Sequence, residues 1–303
     1  MSEPVVAFSK LSKSFGAAFS GGRGRVLALD GVSGAVDDGE IVGVAGPVGA
    51  GKSTLLRIAA GMLRADAGEV RWFGALDCPP RHAAFIPAHA LLHEFVSVRE
   101  ALRFAAVERE LRGAVRVLPE DLWPARLGLL PRMDTRVSAL PLALRRVVTL
   151  AAALQWGPAL MVVDAPLDGL DPASRRDVRR ALHIVASSGI GVLVSAADLG
   201  VLTGVAHRAA LLREGRIVAW LDPSAAAPRD SLELAVGAPR TAAARLRRYV
   251  AASCRRDGAV RVPLADRSAE EVLALCRAEG ITVLRSRVVT EPPGRWTVPP
   301  ASG

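Results

Sequence analysis

The run Gly46-Pro47-Val48-Gly49-Ala50-Gly51-Lys52-Ser53-Thr54 constrains this chain more than any other feature. It matches the G-x4-G-K-[ST] phosphate loop. The glycines let the backbone curl until successive N–H groups point inward and cradle an anion. A helix beginning near Lys52 turns the positive end of its dipole to the same point. Lys52 is expected to reach the β- and γ-phosphates of a nucleoside triphosphate, and the Ser53 hydroxyl to ligate Mg2+. The loop lies between a β-branched run, Ile41-Val42-Gly43-Val44-Ala45, and a helical pattern over Thr54–Gly61. That order of strand, turn and helix separates the motif from a chance glycine turn. A second segment agrees with it. Leu160-Met161-Val162-Val163-Asp164 reads as a buried strand ending in a carboxylate, the acid expected to hold Mg2+ through water.

The rest of the chain fits an α/β domain followed by a smaller one. Residues from Val5 to Val36 alternate and turn like short antiparallel strands around a glycine-rich loop, Phe19–Gly24, and Gly68–Gly74 returns to strand. From Ala88 to Gly157 the pattern is helical, clearest over Val98–Leu111 and Leu142–Gln155. A strand at Ala159–Val163, a helix over Ala173–Ser187, a strand at Gly191–Ser195 and a hairpin over Ala209–Leu221 follow. Strands alternating with helices predict a mostly parallel sheet. Asp222-Pro223 and the Ala/Pro stretch through Pro228 read as a linker. The alternation then resumes as strand (Leu232–Val236), helix (Thr241–Ala252), strand (Ala259–Leu264), helix (Ser268–Glu279) and strand (Ile281–Val289). This is an α+β unit of ferredoxin-like pattern with one strand unassigned, and a Pro/Gly-rich tail expected to be poorly ordered.

With 303 residues, half of them hydrophobic, a large core is within reach. The formal net charge is +9, and arginine carries it: the only lysines are Lys10, Lys13 and Lys52. Bases and acids form no single-sign block, so the excess reads as compositional drift that still suits an anionic surface. Cys78, Cys254 and Cys276 lie far apart without CxxC spacing, which argues against a disulfide framework or a zinc site and suits a reducing cytosol. The N-terminus does not resemble a signal peptide. Val147–Val163 is broken by Gln155-Trp156-Gly157-Pro158, and Gly189–Ala206 contains Asp198, so neither is expected to span a membrane.

Residues 5–222 resemble the ATP-binding domain of ABC transporters. Gly46–Thr54 is similar to the Walker A motif, Leu160–Asp164 to Walker B, and Leu167-Asp168-Gly169-Leu170-Asp171-Pro172 to the D-loop. Val98-Arg99-Glu100-Ala101-Leu102 resembles the start of the helical subdomain, and Arg216-Ile217-Val218 the hairpin closing the core. Phe15 stands where the family places the aromatic that stacks on adenine. The resemblance implies a P-loop ABC-type core (1–222) with an antiparallel β subdomain and a helical subdomain (about 88–157). The α+β accessory domain (223–303) resembles extensions of ABC-2-type export ATPases. It further implies ATP and Mg2+ as ligands. The binding residues would be Phe15, Gly46, Val48, Gly49, Ala50, Gly51, Lys52, Ser53, Thr54 and Asp164, with Ser53 and Asp164 on the metal.

Four departures accompany the resemblance. Ala88 follows Ile86-Pro87 where the family has Gln. The signature Leu-Ser-Gly-Gly appears as Leu140-Pro141-Leu142-Ala143, still followed by Leu144 and Arg145-Arg146. Ala165 replaces the Glu after the Walker B Asp, and Ala197 the switch His. Neither alanine can accept a proton or stabilise charge. Pro141 lacks the N–H, and Leu142 and Ala143 the hydroxyl, that would meet a partner's γ-phosphate. No catalytic residue is therefore assigned. The chain is expected to bind Mg-ATP with little hydrolysis, as the regulatory or structural half of an exporter's ATPase pair. Its expected partners are a membrane permease and a second, intact ABC ATPase or another copy of itself, without nucleic acid, on the cytoplasmic face of the membrane. The alternative is a nucleotide-gated scaffold or sensor without transport turnover. Asp168 and Asp198 are read as structural loop acids. Permease contact is expected near Ala88–Leu102, with Ala90, Leu91, Leu92 and Phe95 either supplying apolar contacts or lying in the core. Arg245, Arg247, Arg248, Arg255 and Arg256 form a basic cluster read as a solvated face.

Overall fold

The structure is a computed structural model that describes residues 3–16, 26–76, 82–89, 92, 95–111, 119, 121–223, 229–246, 253–254, 259–264 and 268–291. Outside these lie the Phe19–Gly24 loop, Cys78, Ala90 and Leu91. So do the segment 224–228, Arg247, Arg248, Arg255, Arg256 and the tail. The chain divides into two compact units, one running to Pro223 and the other from Ser224 to Thr297.

The first unit is organised by a six-stranded sheet of order β5-β6-β7-β3-β8-β9. These strands are β3 (Ile41–Ala45), β5 (Ala83–Ile86), β6 (Leu160–Val163), β7 (Gly191–Ala196), β8 (Arg208–Arg213) and β9 (Arg216–Leu221). All are parallel except β9, which returns as a hairpin on β8. β3, β6 and β7 are buried along their whole length. A strand covered on both faces has no polar side to show, which is why these three read as near-continuous apolar runs, broken only by Ser195 in β7. Alternate residues feed two cores. Ile41, Met161, Val163, Val192 and Val194 pack with the helices α4 (Leu142–Leu154) and α5 (Pro172–Ala186). Val42, Val44, Leu160, Val162 and Leu193 pack on the other side with α1 (Lys52–Ala59) and a three-stranded antiparallel sheet.

That second sheet has the order β2-β1-β4, from β1 (Val6–Phe15), β2 (Val26–Val36) and β4 (Ala67–Trp72). The strands expected here were short; β1 and β2 instead run 10 and 11 residues. Register shifts between Phe8 and Ser14 let one long strand bend, and a bend in the alternation reads in sequence as a turn. The segment after β5 is less helical than its sequence pattern. It holds α2 (Val98–Leu111), the short α3 (Leu122–Arg126), two single 3-10 turns and α4. α6 (Leu199–Leu202), a single turn after β7, had no sequence counterpart because one turn carries no period.

The second unit runs β10 (Arg229–Val236), α7 (Pro239–Leu246), β11 (Ser253–Cys254), β12 (Val260–Pro263), α8 (Ala269–Ala278) and β13 (Val283–Glu291). Its antiparallel sheet has the order β11-β12-β10-β13. The strand left unassigned by sequence is β11, only two residues long. α7 starts two residues before the expected Thr241 and is described only to Leu246. α8 begins with a reciprocal cap: Ser268 Oγ accepts the Glu271 N–H at 3.1 Å, and Glu271 accepts the Ser268 N–H at 2.7 Å. Cys276, on the inner face of α8, is buried, and burial pushes its thiol pKa up.

Candidate functional site

Three parallel strands end side by side, and the residues that follow them form the candidate site. In the sheet β7 lies between β6 and β3, with Ala45 paired to Ala196 and Val163 to Val194. The carboxyl ends of parallel strands are where loops can converge on a ligand. Beyond β3 comes Gly46–Gly51 and α1, beyond β6 Asp164-Ala165, and beyond β7 Ala197-Asp198.

The loop after β3 is held on three sides. Gly46 N–H donates to the Ala196 carbonyl at 3.3 Å, and Ala50 N–H closes a turn onto Pro47 O at 3.2 Å. Ala50 O accepts from Gly215 N at 3.1 Å, the tip of the β8–β9 hairpin. That hairpin is fixed in turn by Asp30, whose N–H bonds Gly215 O at 2.9 Å and whose carboxylate pairs with Arg216 at 2.5 Å. Glycine is obligatory at two points. Gly51 sits at φ +103° with room for no side chain, since a Cβ would lie 2.2 Å from Ala28 O; a Cβ on Gly46 would lie 2.2 Å from Leu212 O. The Lys52 ammonium folds back over the loop, donating to Gly46 O at 2.6 Å and Pro47 O at 2.9 Å. Gly49, Ser53 and Thr54 lie along the same turn. Val48 is wholly exposed at its tip, and Ala50 is buried beneath it.

Asp164 is tied to β7. Its Oδ1 accepts the Ser195 hydroxyl at 2.5 Å, and the same Oγ accepts the Ala165 N–H at 2.8 Å. Ser195 is buried, the one hydroxyl among the apolar residues of β7. The sequence reading missed it, although a lone polar residue in a strand buried on both faces was the signal that could have found it. Ala165 sits at φ +50°. Across from it Arg146, on the second turn of α4, clasps the Pro166 and Asp168 carbonyls at 2.5 and 2.7 Å. Burial lowers the Arg146 pKa while the Asp168 charge opposes it. Asp171 caps α5 through Ala173 N and Ser174 N, and Ser174 holds its carboxyl below the usual range. Asp198 caps α6 through Val201 N at 3.2 Å. Asp171 and Asp198 therefore have structural partners at hand.

Phe15 closes β1, half-exposed, with the Lys13 ammonium 5.7 Å from its ring centre. A separate apolar groove of about 660 Å³ runs between β5, α2 and α4, lined by Phe85, Leu92, Phe95, Phe104, Thr149 and Trp156. Phe95 is 88 % exposed, so it is a surface residue and not part of the core.

The residues present fit a nucleotide with its metal. The loop offers a curled backbone that a Cβ at Gly51 would close. It also has a lysine that, among the described residues, is bonded only to loop carbonyls, which an anion can outbid. Ser53 and Asp164 add an oxygen pair of the kind Mg2+ takes.

A mostly parallel sheet with a glycine loop leading into a helix, and an acid at the end of a neighbouring strand, defines a P-loop nucleotide-binding domain. The ABC transporter family profile matches residues 29–168. The chain is 32% identical over 237 residues to Nod factor export ATP-binding protein I of Paraburkholderia xenovorans (strain LB400), covering 74% of this chain and 73% of that one. It is 27% identical over 277 residues to the uncharacterized ABC transporter ATP-binding protein YhcH of Bacillus subtilis (strain 168), covering 89% of each. Among solved structures, cbiO1 from Clostridium perfringens, part of the ABC transporter complex cbiONQ, aligns with a TM-score of 0.61. It is 21% identical and covers 73% of this chain and 90% of that one. The chain belongs to the ABC transporter family, as an ATP-binding subunit, and its first unit has the ABC cassette fold with an antiparallel β subdomain. No helix among the described residues is long and apolar enough to cross a membrane.

Proposed function

We propose that this chain is the ATP-binding subunit of an ABC exporter that holds Mg-ATP but hydrolyses it little or not at all. In this reading it works beside a catalytically intact ATPase and a membrane permease. Gly46–Thr54 would cradle the phosphates, with Val48 and Ala50 lending backbone N–H groups. Ser53 and Asp164 would hold Mg2+, and Phe15 would meet the base. When bound, the metal would neutralise charge on the phosphates.

The observation that carries the reading is Ala165, directly after Asp164. Its N–H is committed to Ser195 and its methyl cannot take a proton from water. Removal of a general base slows a reaction about 10²–10⁴-fold. Ala197, Ala88 and Pro141-Leu142-Ala143 add to the deficit from the other sides. The exporter assignment is supported by the reach of the alignments. The 264 residues aligned with Nod factor export ATP-binding protein I of Rhizobium sp. (strain N33), 82% of this chain, exceed the first unit and so extend into the second. Nod factor export proteins recur among the relatives. The order of the second unit's elements, strand-helix-strand-strand-helix-strand with β10 and β12 central, supports a ferredoxin-like accessory domain (223–303). The groove bearing Phe95 and Phe104 suits an apolar permease element.

ATP binding and phosphate release by the purified chain with Mg2+, beside Lys52→Ala, test this. Binding abolished by Lys52→Ala, with no turnover above that variant, is expected. Lys52-dependent phosphate release would overturn the reading.

A further inference from the structure

Phe15 is the last residue of β1, and strand register puts it close to the phosphate loop. Lys13 pairs with Leu29 and Ser14 with Leu27, so Ala28 is the extra residue of a bulge in β2. The Ala28 carbonyl presses on Gly51, where a Cβ would lie 2.2 Å from its oxygen. Val26, two residues back along β2, is the partner of Phe15. Two strand steps and one strand spacing therefore separate Phe15 from the loop, a distance on the order of 10 Å. That span suits a nucleoside whose phosphates sit in the loop and whose base reaches the ring.

The end of β1 is held by one side chain where β4 gives out. Among the described residues, the ladder between β1 and β4 stops at Ser12 opposite Ala67. Asp66, one residue earlier, continues that edge with its own atoms. Its N–H donates to Ser12 O at 2.8 Å, and its Oδ2 accepts the Ser14 N–H at 2.8 Å. Its Oδ1 accepts the Lys13 ammonium at 2.7 Å. Residues two apart in a strand share a face, so Lys13 and Phe15 lie on the same side of β1. The tethered ammonium stands over the Phe15 ring, 5.7 Å from its centre. A cation so placed is attracted by the ring's quadrupole. One face of the ring is thereby covered and braced, which leaves the opposite face for a base. Asp66 is 38% exposed, and an ion pair this open to water adds little to folding stability. Its consequence is the placement of the ring.

We propose that Lys13, anchored by Asp66, is a positioning residue that fixes Phe15 so that a purine base stacks on the ring face away from the ammonium. The ligand class is a purine nucleoside triphosphate, whose fused rings cover more of a phenyl face than a pyrimidine does. This rests on the contact between Phe15 and the base in the function proposed above, and adds to it a residue that acts through the ring.

Calorimetry on the full chain with Mg2+, using ATP, CTP and inorganic tripolyphosphate, tests it. Lys13→Met keeps the length of the stem and removes the charge; ATP binding should weaken about threefold. Tripolyphosphate, which has no base, should bind the variant as it binds wild type. Phe15→Ala should weaken ATP binding about tenfold, and Lys13→Met should add nothing to it. Lys13→Arg should restore ATP affinity, since a guanidinium can pair with Asp66 and lie over the ring. CTP should bind wild type more weakly than ATP. Equal losses for ATP and tripolyphosphate in Lys13→Met would mark a merely structural role and overturn the proposal. So would CTP binding as tightly as ATP, or Lys13→Met without effect beside an effective Phe15→Ala. Phe15→Ala without effect, or no ATP binding by wild type, would overturn it together with the nucleotide contact on which it rests.

Discussion

Ser195→Ala removes one oxygen atom and two hydrogen bonds from the base of the candidate site. The hydroxyl donates to Asp164 at 2.5 Å and accepts from Ala165 N at 2.8 Å, in a residue that is 1% exposed. A hydrogen bond to a charged group is worth about 1.5–3 kcal/mol net, and an orphaned buried N–H costs about 1–3 kcal/mol. The two share one donor-acceptor atom, so they do not simply add. About 3 kcal/mol is expected, a change of about 150-fold in the folding equilibrium. Urea unfolding followed by tryptophan fluorescence measures it. Trp72, Trp123, Trp156 and Trp220 belong to the first unit, so a Trp296→Phe background reports on that unit alone. A cycle with Asp164→Ala isolates the Ser195–Asp164 share, because the N–H of Ala165 is orphaned in both serine variants. A loss under about 0.5 kcal/mol would refute the account, since that is the range of an uninvolved surface change. ATP affinity should fall as well, because the serine is what aims the carboxylate.

Two other outcomes follow from single geometric facts. Gly51→Ala forces a side chain into φ +103° with its Cβ 2.2 Å from a carbonyl oxygen. The strain is about 2 kcal/mol or more, so ATP binding measured by calorimetry should weaken at least about 30-fold, and a change under threefold would contradict the loop geometry. Glu40 provides a pH signature: burial pushes its carboxyl up, but hydrogen bonds from Arg208 and Asp37 N–H outweigh this and leave it below the ordinary 4.5. Its contribution is therefore complete above pH 4.5 and is lost as pH falls through the lower folded value. Glu40→Gln should cost about 1 kcal/mol at pH 7, given that Arg208 is partly exposed, and the gap to wild type should close in acid.

How much of this could be read from sequence depends on how each element is specified. β3 and α1 were legible because an apolar run, three glycines and Lys-Ser-Thr fall in one order that few folds use. α2, α4 and α5 carry an apolar period over more than three turns and appeared nearly to the residue. β1 and β2 were read as broken because their alternation is interrupted by bulges, which only the pairing with β4 and with each other resolves. β11 is two residues long and exists because β12 is there to receive it. At the site, Lys52 and Asp164 were legible as motif. The Ser195 and Arg146 contacts were not, since each joins segments more than fifteen residues apart in sequence.

These contacts also explain how a cassette can keep its fold whatever side chains stand at 165 and 197. What the structure uses at position 165 is the backbone: an N–H bonded to Ser195 and a turn at φ +50°. Position 197 precedes the Asp198 that caps α6, and the chain there is held by Ala196 O through Gly46 N. Arg146 secures the segment after Ala165 through carbonyls of Pro166 and Asp168, again independent of side-chain identity. In the reading proposed for this chain, binding geometry and proton-transfer groups would therefore reside on separable atoms. Phosphate capture would depend, in that reading, on loop N–H groups and Lys52, tied to main-chain atoms of the loop, and on Asp164, held by the Ser195 hydroxyl. In the same reading, the groups that would turn bound ATP over would project from positions 165 and 197, and at 165 the bond shown is the backbone N–H to Ser195. In the reading proposed for this chain, binding can persist when those side chains are alanine. That separation is why affinity and turnover must be measured side by side: loss of one does not imply loss of the other.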